Sequence, residues 1–230
     1  MSDIYQDGTY LTQNPLWHQE DSAWKARHIA QMIRRNGLKP VSVCEVGCGA
    51  GEVLRQLSQE LGGPTRYHGF EISPQAFDLC RGKAAPGLTF TLGDAFDQPE
   101  RFDLVLAIDV IEHVEDYRGF LRQLRKCGTY KILHIPLDLS AQAVLRSFPL
   151  RHLRTKYGHI HYFTRQTALS ALADMGYRVL DCVYTAGALE LDHQTWRSRL
   201  AELPRRLVFG INQDLAARLL GGFSLLVLAR

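Results

Sequence analysis

"VCEVGCGAGE", residues 43–52, decides how the rest of the chain reads. A short apolar run carrying one acid, Glu45, breaks into glycines at every second position, Gly47, Gly49 and Gly51. Glycine lacks a Cβ, so it adopts left-handed backbone freely and lets the chain come close to another group. In an open α/β sheet, ligands bind beyond the carboxyl ends of the strands, and a loop of this kind after a first strand is the expected place.

Outward from the loop, strand and helix patterns alternate. Short, mostly apolar runs mark strands at Val41–Val46, Arg66–Glu71, Leu88–Leu92, Phe102–Ile108 and Tyr130–Ile135, as expected of strands buried on both faces. Helical stretches lie between them at Glu52–Leu61, at Pro74–Arg81 with Ser73 as cap and Pro74 in the first helical position, and at Tyr117–Lys126. Upstream, Ala23, Ala26, Ile29, Ala30 and Ile33 recur at helical spacing, with Asp21 or Ser22 as N-cap and Gly37 as the stop. Such alternation implies right-handed crossovers and a doubly wound, mostly parallel α/β sheet with helices on both faces.

The last third departs from the alternation. A helix is predicted from Thr164 to near Gly176, then a strand from Tyr177 to Tyr184. A second apolar run, "FSLLVLAR", closes the chain after a gap too long for a hairpin loop, and that gap is predicted to hold a helix around Arg205–Leu220. The two final strands are expected to pair antiparallel, which makes a seven-stranded sheet mixed at one edge.

A chain of 230 residues, 46% hydrophobic, buries the core of one domain with additions. The N-terminal residues are polar, without a basic-then-apolar leader, and no run reaches about 18 apolar residues, so a cytoplasmic protein is expected. The five cysteines are odd in number, scattered and without a C-x-x-C pair, which argues against a disulfide framework or a zinc site. A net charge of +3 is too small to imply nucleic acid by itself. Its distribution says more: "RSFPLRHLRTK", Arg146–Lys156, carries four Arg or Lys and no acid. That run reads either as a solvated surface or as a footprint for an anionic substrate, a membrane surface or an RNA backbone.

The glycine loop has several possible partners. A phosphate cradle of the Walker type needs Gly-Lys-Ser/Thr, which is absent here. A dinucleotide fingerprint needs its third glycine where Glu52 stands, and a carboxylate at that helix start opposes a pyrophosphate. A tight turn alone also uses glycines.

Glu45-x-Gly47-x-Gly49-x-Gly51 resembles the first motif of the class I S-adenosylmethionine-dependent methyltransferases, whose fold is Rossmann-like. The resemblance continues at three later strand ends. It implies that Glu71 in "YHGFEIS", with Ile72 beside it, takes hydrogen bonds from the ribose hydroxyls of S-adenosylmethionine. It implies that Asp94 in "FTLGDAF" meets the adenine amino group, with Ala95 and Phe96 flanking the ring. "FDLVLAIDVIEHVED" would lay Asp109, Val110, Glu112 and His113 over the methionine side, while Glu45 and the loop with Cys48 pass beneath. The likeness covers Val41 to Pro136 well and the rest in outline, and is nearest to small-molecule methyltransferases of the ubiquinone and natural-product type. It divides the chain into an N-terminal lid and helix, 1–37, and a methyltransferase domain, 38–230, with acceptor-site additions at about 137–165 and 185–221.

A sulfonium donor needs no covalent enzyme intermediate, so the protein has to align reactants, exclude water and, for a hydroxyl acceptor, take a proton. His113 is a candidate base by position, or a structural histidine beneath the cofactor. "GHIHYFT" puts His159 and His161 on one side of an extended stretch; these histidines and Tyr162 either face substrate or anchor the following helix. His134 at the end of the fifth strand is a further pocket candidate, and Pro136 should turn the chain out of the sheet. Trp17 and His18, with Tyr10 and Trp24, read as a lid or as simple packing.

The expected function is direct methyl transfer to a small molecule. Arg151 and Arg154 suggest an acceptor bearing a carboxylate or phosphate. An RNA or protein methyltransferase using Arg146–Lys156 is the alternative, lowered by the absence of an Asn/Asp-Pro-Pro-aromatic motif after the fourth strand. A cofactor-binding protein without turnover is the other. No motif speaks for a metal, and a monomer or homodimer is equally compatible.

Overall fold

The computed structural model describes residues 8–191 and 196–230; residues 1–7 of the expected lid and 192–195 of the second addition lie outside the described residues. The strands are β1 Ser42–Val46, β2 Arg66–Glu71, β3 Leu88–Leu92, β4 Phe102–Ile108, β5 Gly128–Pro136, β6 Val179–Thr185 and β7 Ser224–Ala229. They form a single sheet in the order β3-β2-β1-β4-β5-β7-β6. β1 to β5 run parallel, while β7 runs antiparallel between β5 and β6. The last strand of the chain therefore enters one place in from the edge, with Leu133 opposite Val227 and Cys182 opposite the same valine.

Strand burial explains the sequence pattern. All five residues of β1 are buried, and successive side chains go to opposite faces. Val43, Leu104, Leu106 and Ile132 belong to one core cluster, and Cys44, Val46, Val105, Ala107 and Leu133 to the other. Against the first face lie α2 (Ser22–Arg35) and α3 (Glu52–Leu61), reached after the short N-terminal helix α1 (Thr9–Gln13). Ile29, Ala30 and Ile33 of α2 share that core with Leu54 and Leu57 of α3.

α4 (Pro74–Cys80) starts as its sequence requires, with Pro74 in the first turn and the Ser73 hydroxyl accepting from the Ala76 amide. Asp21 precedes α2 without capping it; its carboxylate pairs instead with Lys25 at 2.9 Å. The second face carries α5 (Tyr117–Leu124), α8 (Arg165–Asp174) and the C-terminal helix. α8 opens with a capping box between Thr164 and Thr167.

Two local expectations change. Pro136 does not turn out of the sheet: it is the last residue of β5, paired with Ser224, where a missing N–H costs no ladder bond inside the strand. The stretch after it coils into α6 (Ala141–Arg146), α7 (Phe148–His152) and a π-type turn, Leu153–Tyr157. The helix expected around Arg205–Leu220 is two, α10 (Trp196–Ile211) and α11 (Gln213–Leu220), after the single turn α9 (Gly187–Glu190). The break falls at Asn212, whose extended backbone lets its side chain accept from the Leu215 amide at 2.9 Å.

Candidate cofactor and acceptor site

At the carboxyl ends of β1, β2 and β4 lies a cavity of about 330 Å³. Glu45, Gly47, Cys48, Gly49, Glu71, Ile72, Asp109, Val110, Glu112 and His113 line its sheet side. Tyr10, Trp17, His18, Asp21, Ser22 and Lys25 roof it, and Leu153, Tyr157 and His159 close the far end. Glu52 lines it too, so that six lining residues are acidic against one lysine, Lys25, and no arginine.

The three loop glycines have left-handed φ of 71°, 55° and 73°, but they meet different neighbours. A Cβ on Gly51 would stand 2.6 Å from Phe90 and 2.8 Å from Cys80, and one on Gly47 3.2 Å from Val110. Gly49 would touch the Trp17 indole at 2.9 Å. Close approach at Gly51 is thus to the protein's own packing, and only Gly47 and Gly49 line the cavity. The Gly47 and Cys48 amides both donate to the Phe70 carbonyl, which folds the loop back over β2.

Glu71 holds this loop from below. One carboxylate oxygen accepts from the Gly49 amide and the other from the Ser73 amide, each at 2.8 Å. Burial pushes its pKa up, against the lowering effect of these amides. A carboxylate has about four lone-pair sites, so acceptor capacity remains for hydroxyls. Glu45 is almost fully buried with Oε2 unpartnered; burial raises its pKa to about 8. Glu52 is tied to Arg55 at 3.0 Å and to Gln56 at 2.8 Å, which fixes its charge at the start of α3.

Asp109 leaves β4 with φ 54°. Its carboxylate accepts from Lys25 at 2.7 Å and from His134 Nδ1 at 2.5 Å, and these two neighbours hold its pKa far below the usual range despite burial. His134 is buried, and its Nε2 meets the Thr185 hydroxyl at 2.8 Å. It thus braces Asp109 behind the cavity wall instead of lining the cavity. Glu112 is completely buried and neither carboxylate oxygen has a partner; burial drives its pKa well above normal. His113 Nδ1 faces the Gly158 carbonyl at 3.3 Å, and burial depresses its pKa to about 3.

The remaining candidates separate. His159 lines the cavity with its ring 4.8 Å from that of His113, and Nδ1 bonds Asp138 at 2.7 Å. His161 does not line it: Nε2 donates to the Val114 and Glu115 carbonyls, since a carbonyl only accepts. Tyr162 donates to the Leu150 carbonyl, and Arg151 and Arg154 are exposed outside the lining, which the same turn enters through Leu153 and Tyr157. Asp94, Ala95 and Phe96 also stand outside it; Asp94 is exposed, and its carboxylate accepts from the Phe96 amide at 2.9 Å.

Tyr10, Trp17 and His18 are in the roof, with Tyr10 and His18 bonded at 2.9 Å, whereas Trp24 donates to Glu190 at 2.7 Å. Asn14 ties the roof to the far turn through the Lys156 carbonyl. Sequence reasoning missed Lys25, Asp138 and Tyr157. Lys25 carried a signal, because it lies four and eight residues before Ile29 and Ile33, on the buried stripe of α2.

A doubly wound α/β domain with a glycine-lined, acid-rich cavity at its strand tips is the class that fold and site define. Residues 16–181 match the methyltransferase-domain family. The chain belongs to that family, the class I S-adenosylmethionine-dependent methyltransferases that its first motif resembles. It is similar to ajmaline N-methyltransferase of Rauvolfia serpentina, 36% identical over 44% of this chain and 39% of that one. It is also similar to the ubiquinone biosynthesis O-methyltransferase of Methylobacterium nodulans, 29% identical over 57% of this chain and 53% of the other. The match thus spans less than two thirds of either relative. Among solved structures, magnesium protoporphyrin IX methyltransferase of Synechocystis, with bound S-adenosylhomocysteine, shares the fold at TM-score 0.60 and 16% identity, over 95% of this chain and 85% of that one.

Proposed function

We propose that the protein is an S-adenosylmethionine-dependent methyltransferase acting on a small molecule. The observation that carries the reading is the acid-rich lining of the cavity: Glu45 and Glu112 keep buried, unpartnered oxygens there, beside Glu71 and Asp109. Buried carboxyl oxygens without partners are costly unless a cation or donor meets them. A ligand carrying a sulfonium, an ammonium and ribose hydroxyls supplies those groups, and a pyrophosphate does not. The fit extends to Gly47 and Gly49, whose bare backbone faces the cavity.

When bound, the cofactor supplies a methyl group on a good leaving group. The residues of this chain orient and shield. Glu71 holds the glycine loop and keeps acceptor capacity for ribose. Asp94, Ala95 and Phe96 stand at the tip of β3, on the adenine side of that reading. Trp17 and Tyr10 cover the loop, their rings 4.7 Å apart, so that the N-terminal segment excludes water. A histidine depressed to about 3 is a poor base near neutrality, so His113 serves as a neutral wall. His159 marks the acceptor end.

The relatives named for small-molecule acceptors favour that substrate class over RNA or protein. Arg151 and Arg154, exposed near the turn that closes the cavity, support an anionic acceptor. No described helix is long and apolar enough to cross a membrane; a cytoplasmic location and the choice between monomer and homodimer remain part of the proposal. The test is transfer of tritiated methyl from S-adenosylmethionine to a panel of small phenols, amines and carboxylic acids. Labelled product supports the reading; cofactor binding without label on any acceptor, RNA and protein included, would establish a binding-only protein. Exchange of Arg151 and Arg154 for glutamate should raise acceptor KM, and an unchanged KM overturns the anionic assignment.

A further inference from the structure

Thirteen large apolar side chains are exposed among the described residues, and eight of them fall on four helices, α6, α7, α10 and α11. Leu203, Leu207 and Ile211 recur at every fourth residue of α10 and so share one face of it, and Leu215 and Leu219 repeat the spacing on α11. The other side of α10 is apolar too: Val208 and Phe209 pack against the core, with Phe209 stacked on Phe223 at 4.8 Å. A helix that is apolar on opposite faces calls for cover on both, yet Ile211 is 86% exposed. The four helices form one layer. α6 packs on α7 and on α11, and α11 packs on α10, whose Arg205 donates to the Leu220 carbonyl at 3.4 Å. The layer stands at the cavity end of the sheet, since β5 leads toward α6 through Pro136, which pairs with Ser224, where the chain returns from α11.

Charge gathers in the same place. Residues 141–157 and 196–220 carry nine Arg or Lys against two acids, Glu202 and Asp214, while the whole chain has a net charge of only +3, so the remainder is net acidic. Both acids are already engaged, Glu202 by Arg206 at 2.6 Å and Asp214 by Arg218 at 2.9 Å. Arg205 keeps a buried Nε with no partner among the described residues, and burial together with Arg146 nearby lowers its pKa. These features select an occupant. A second copy related by a two-fold axis would set this charge against itself. A nucleic-acid strand would meet the charge, but its bases stack on aromatic or guanidinium planes and leave the leucines uncovered. A bilayer with anionic headgroups covers aliphatic side chains and cations together.

We infer that α6, α7, α10 and α11 form a docking surface for a bilayer that carries anionic phospholipid, with the aliphatic side chains at the acyl boundary and the arginines on the headgroup phosphates. The helices lie on the bilayer, and none of those described is long and apolar enough to cross it. Leu153 and Tyr157, which follow α7, close the far end of the cavity. Docking therefore brings that end beside the membrane, where an acceptor dissolved in the bilayer has little water to cross. This use rests on the methyltransferase reading; the docking surface does not.

The test is co-sedimentation of the full chain, without S-adenosylmethionine, with vesicles of phosphatidylcholine alone and of phosphatidylcholine mixed with phosphatidylglycerol. The chain should pellet with the mixed vesicles, far less with the neutral ones, and less as salt rises. Leu207→Glu combined with Ile211→Glu should weaken binding roughly tenfold or more, as should Arg146→Glu by itself. Arg66→Glu, at an exposed position where β2 begins, away from the cavity, should leave binding unchanged. The exchanged side chains are exposed, so circular dichroism melts should match wild type, and Leu207→Gln with Ile211→Gln repeats the reading without added charge. No binding to mixed vesicles, equal binding to both kinds, or binding that survives the substitutions overturns the surface. A dimer in light scattering that the Leu207 and Ile211 exchanges dissolve would assign the face to a second copy, and RNA retention lost in Arg146→Glu but kept in the leucine-isoleucine variant would assign the arginines to RNA; either result overturns it as well. The vesicle assay uses no cofactor, so its failure leaves the methyltransferase reading standing, and failure of methyl transfer leaves the docking surface standing.

Discussion

The sheet-side wall of the cavity, from Glu45 to Asp109, is held by strands buried on both faces, whereas the roof and far wall are held by side-chain pairs between segments distant in sequence. Glu71 is fixed by backbone amides one loop away. Lys25 reaches Asp109, Asn14 reaches Lys156 and His159 reaches Asp138, each across the fold. Overpacking beneath the first wall should therefore appear as lost stability, and loss of a pair across the fold as lost closure together with lost stability.

The sharpest contrast lies within the glycine loop. Gly51→Ala should cost about 4 kcal/mol, combining left-handed strain with a clash against Phe90 and Cys80. Gly49→Ala should cost about 1–2 kcal/mol for the strain alone, because Trp17 can yield, and should lose cofactor affinity instead. Denaturant unfolding and calorimetry separate the two; equal stability losses would erase the distinction between packing glycine and cavity glycine.

Next in size is the latch between roof and sheet. Asp109→Asn keeps a residue that tolerates left-handed backbone but leaves Lys25 short of its second carboxylate. Breaking a buried pair in this way should cost about 3 kcal/mol. Thermal unfolding should then shift down by roughly 6–12 °C for a chain of this size; a shift under a degree would show that the ion pair is dispensable.

A smaller effect should be seen in the pH dependence of the free protein. Glu45 is raised to about 8 in the fold from about 4.3 in an unfolded chain, so its contribution is complete below the lower value and is lost as pH rises through the upper one. Glu112 is raised as well and acts in the same sense. His113, lowered to about 3, contributes stability above its unfolded value near 6.5 and loses it on acidification. Between pH 6.5 and 8 only the glutamates act among these three, and stability should fall by about 1.4 kcal/mol per pH unit for each proton retained by the fold. Glu45→Gln should flatten that slope, and an unchanged slope in unfolding titrations would remove Glu45 as its source.

The smallest expected change concerns the β3 tip. Asp94→Ala should weaken S-adenosylmethionine binding by about 1 kcal/mol, because Asp94 is exposed and also loses its bond to the Phe96 amide. Wild-type affinity in that variant would take Asp94 out of the cofactor site.

The same division explains what could be read from residues alone. Buried strands announce themselves as short apolar runs, so β1 to β5, the glycine loop and the acids Glu45, Glu71, Asp109 and Glu112 were all legible locally. The antiparallel pairing of the last strands was legible as well, but the entry of β7 between β5 and β6 is a property of the closed sheet. α6, α7 and the π-type turn escaped because segments of five or six residues are too short to show a helical period. His161 and His159 are two residues apart and alternate onto one side in an extended chain, yet the carbonyls of Val114 and Glu115 hold one ring and Asp138 holds the other. Only packing decides which of them reaches the cavity.

Calorimetric titration of the purified full chain with S-adenosylmethionine, run beside NAD⁺ and ATP, tests the central claim most directly. One cofactor should bind per chain, Glu71→Ala should remove most of the signal, and neither phosphate-bearing ligand should compete. Heat from the dinucleotide, or none from S-adenosylmethionine, would contradict it.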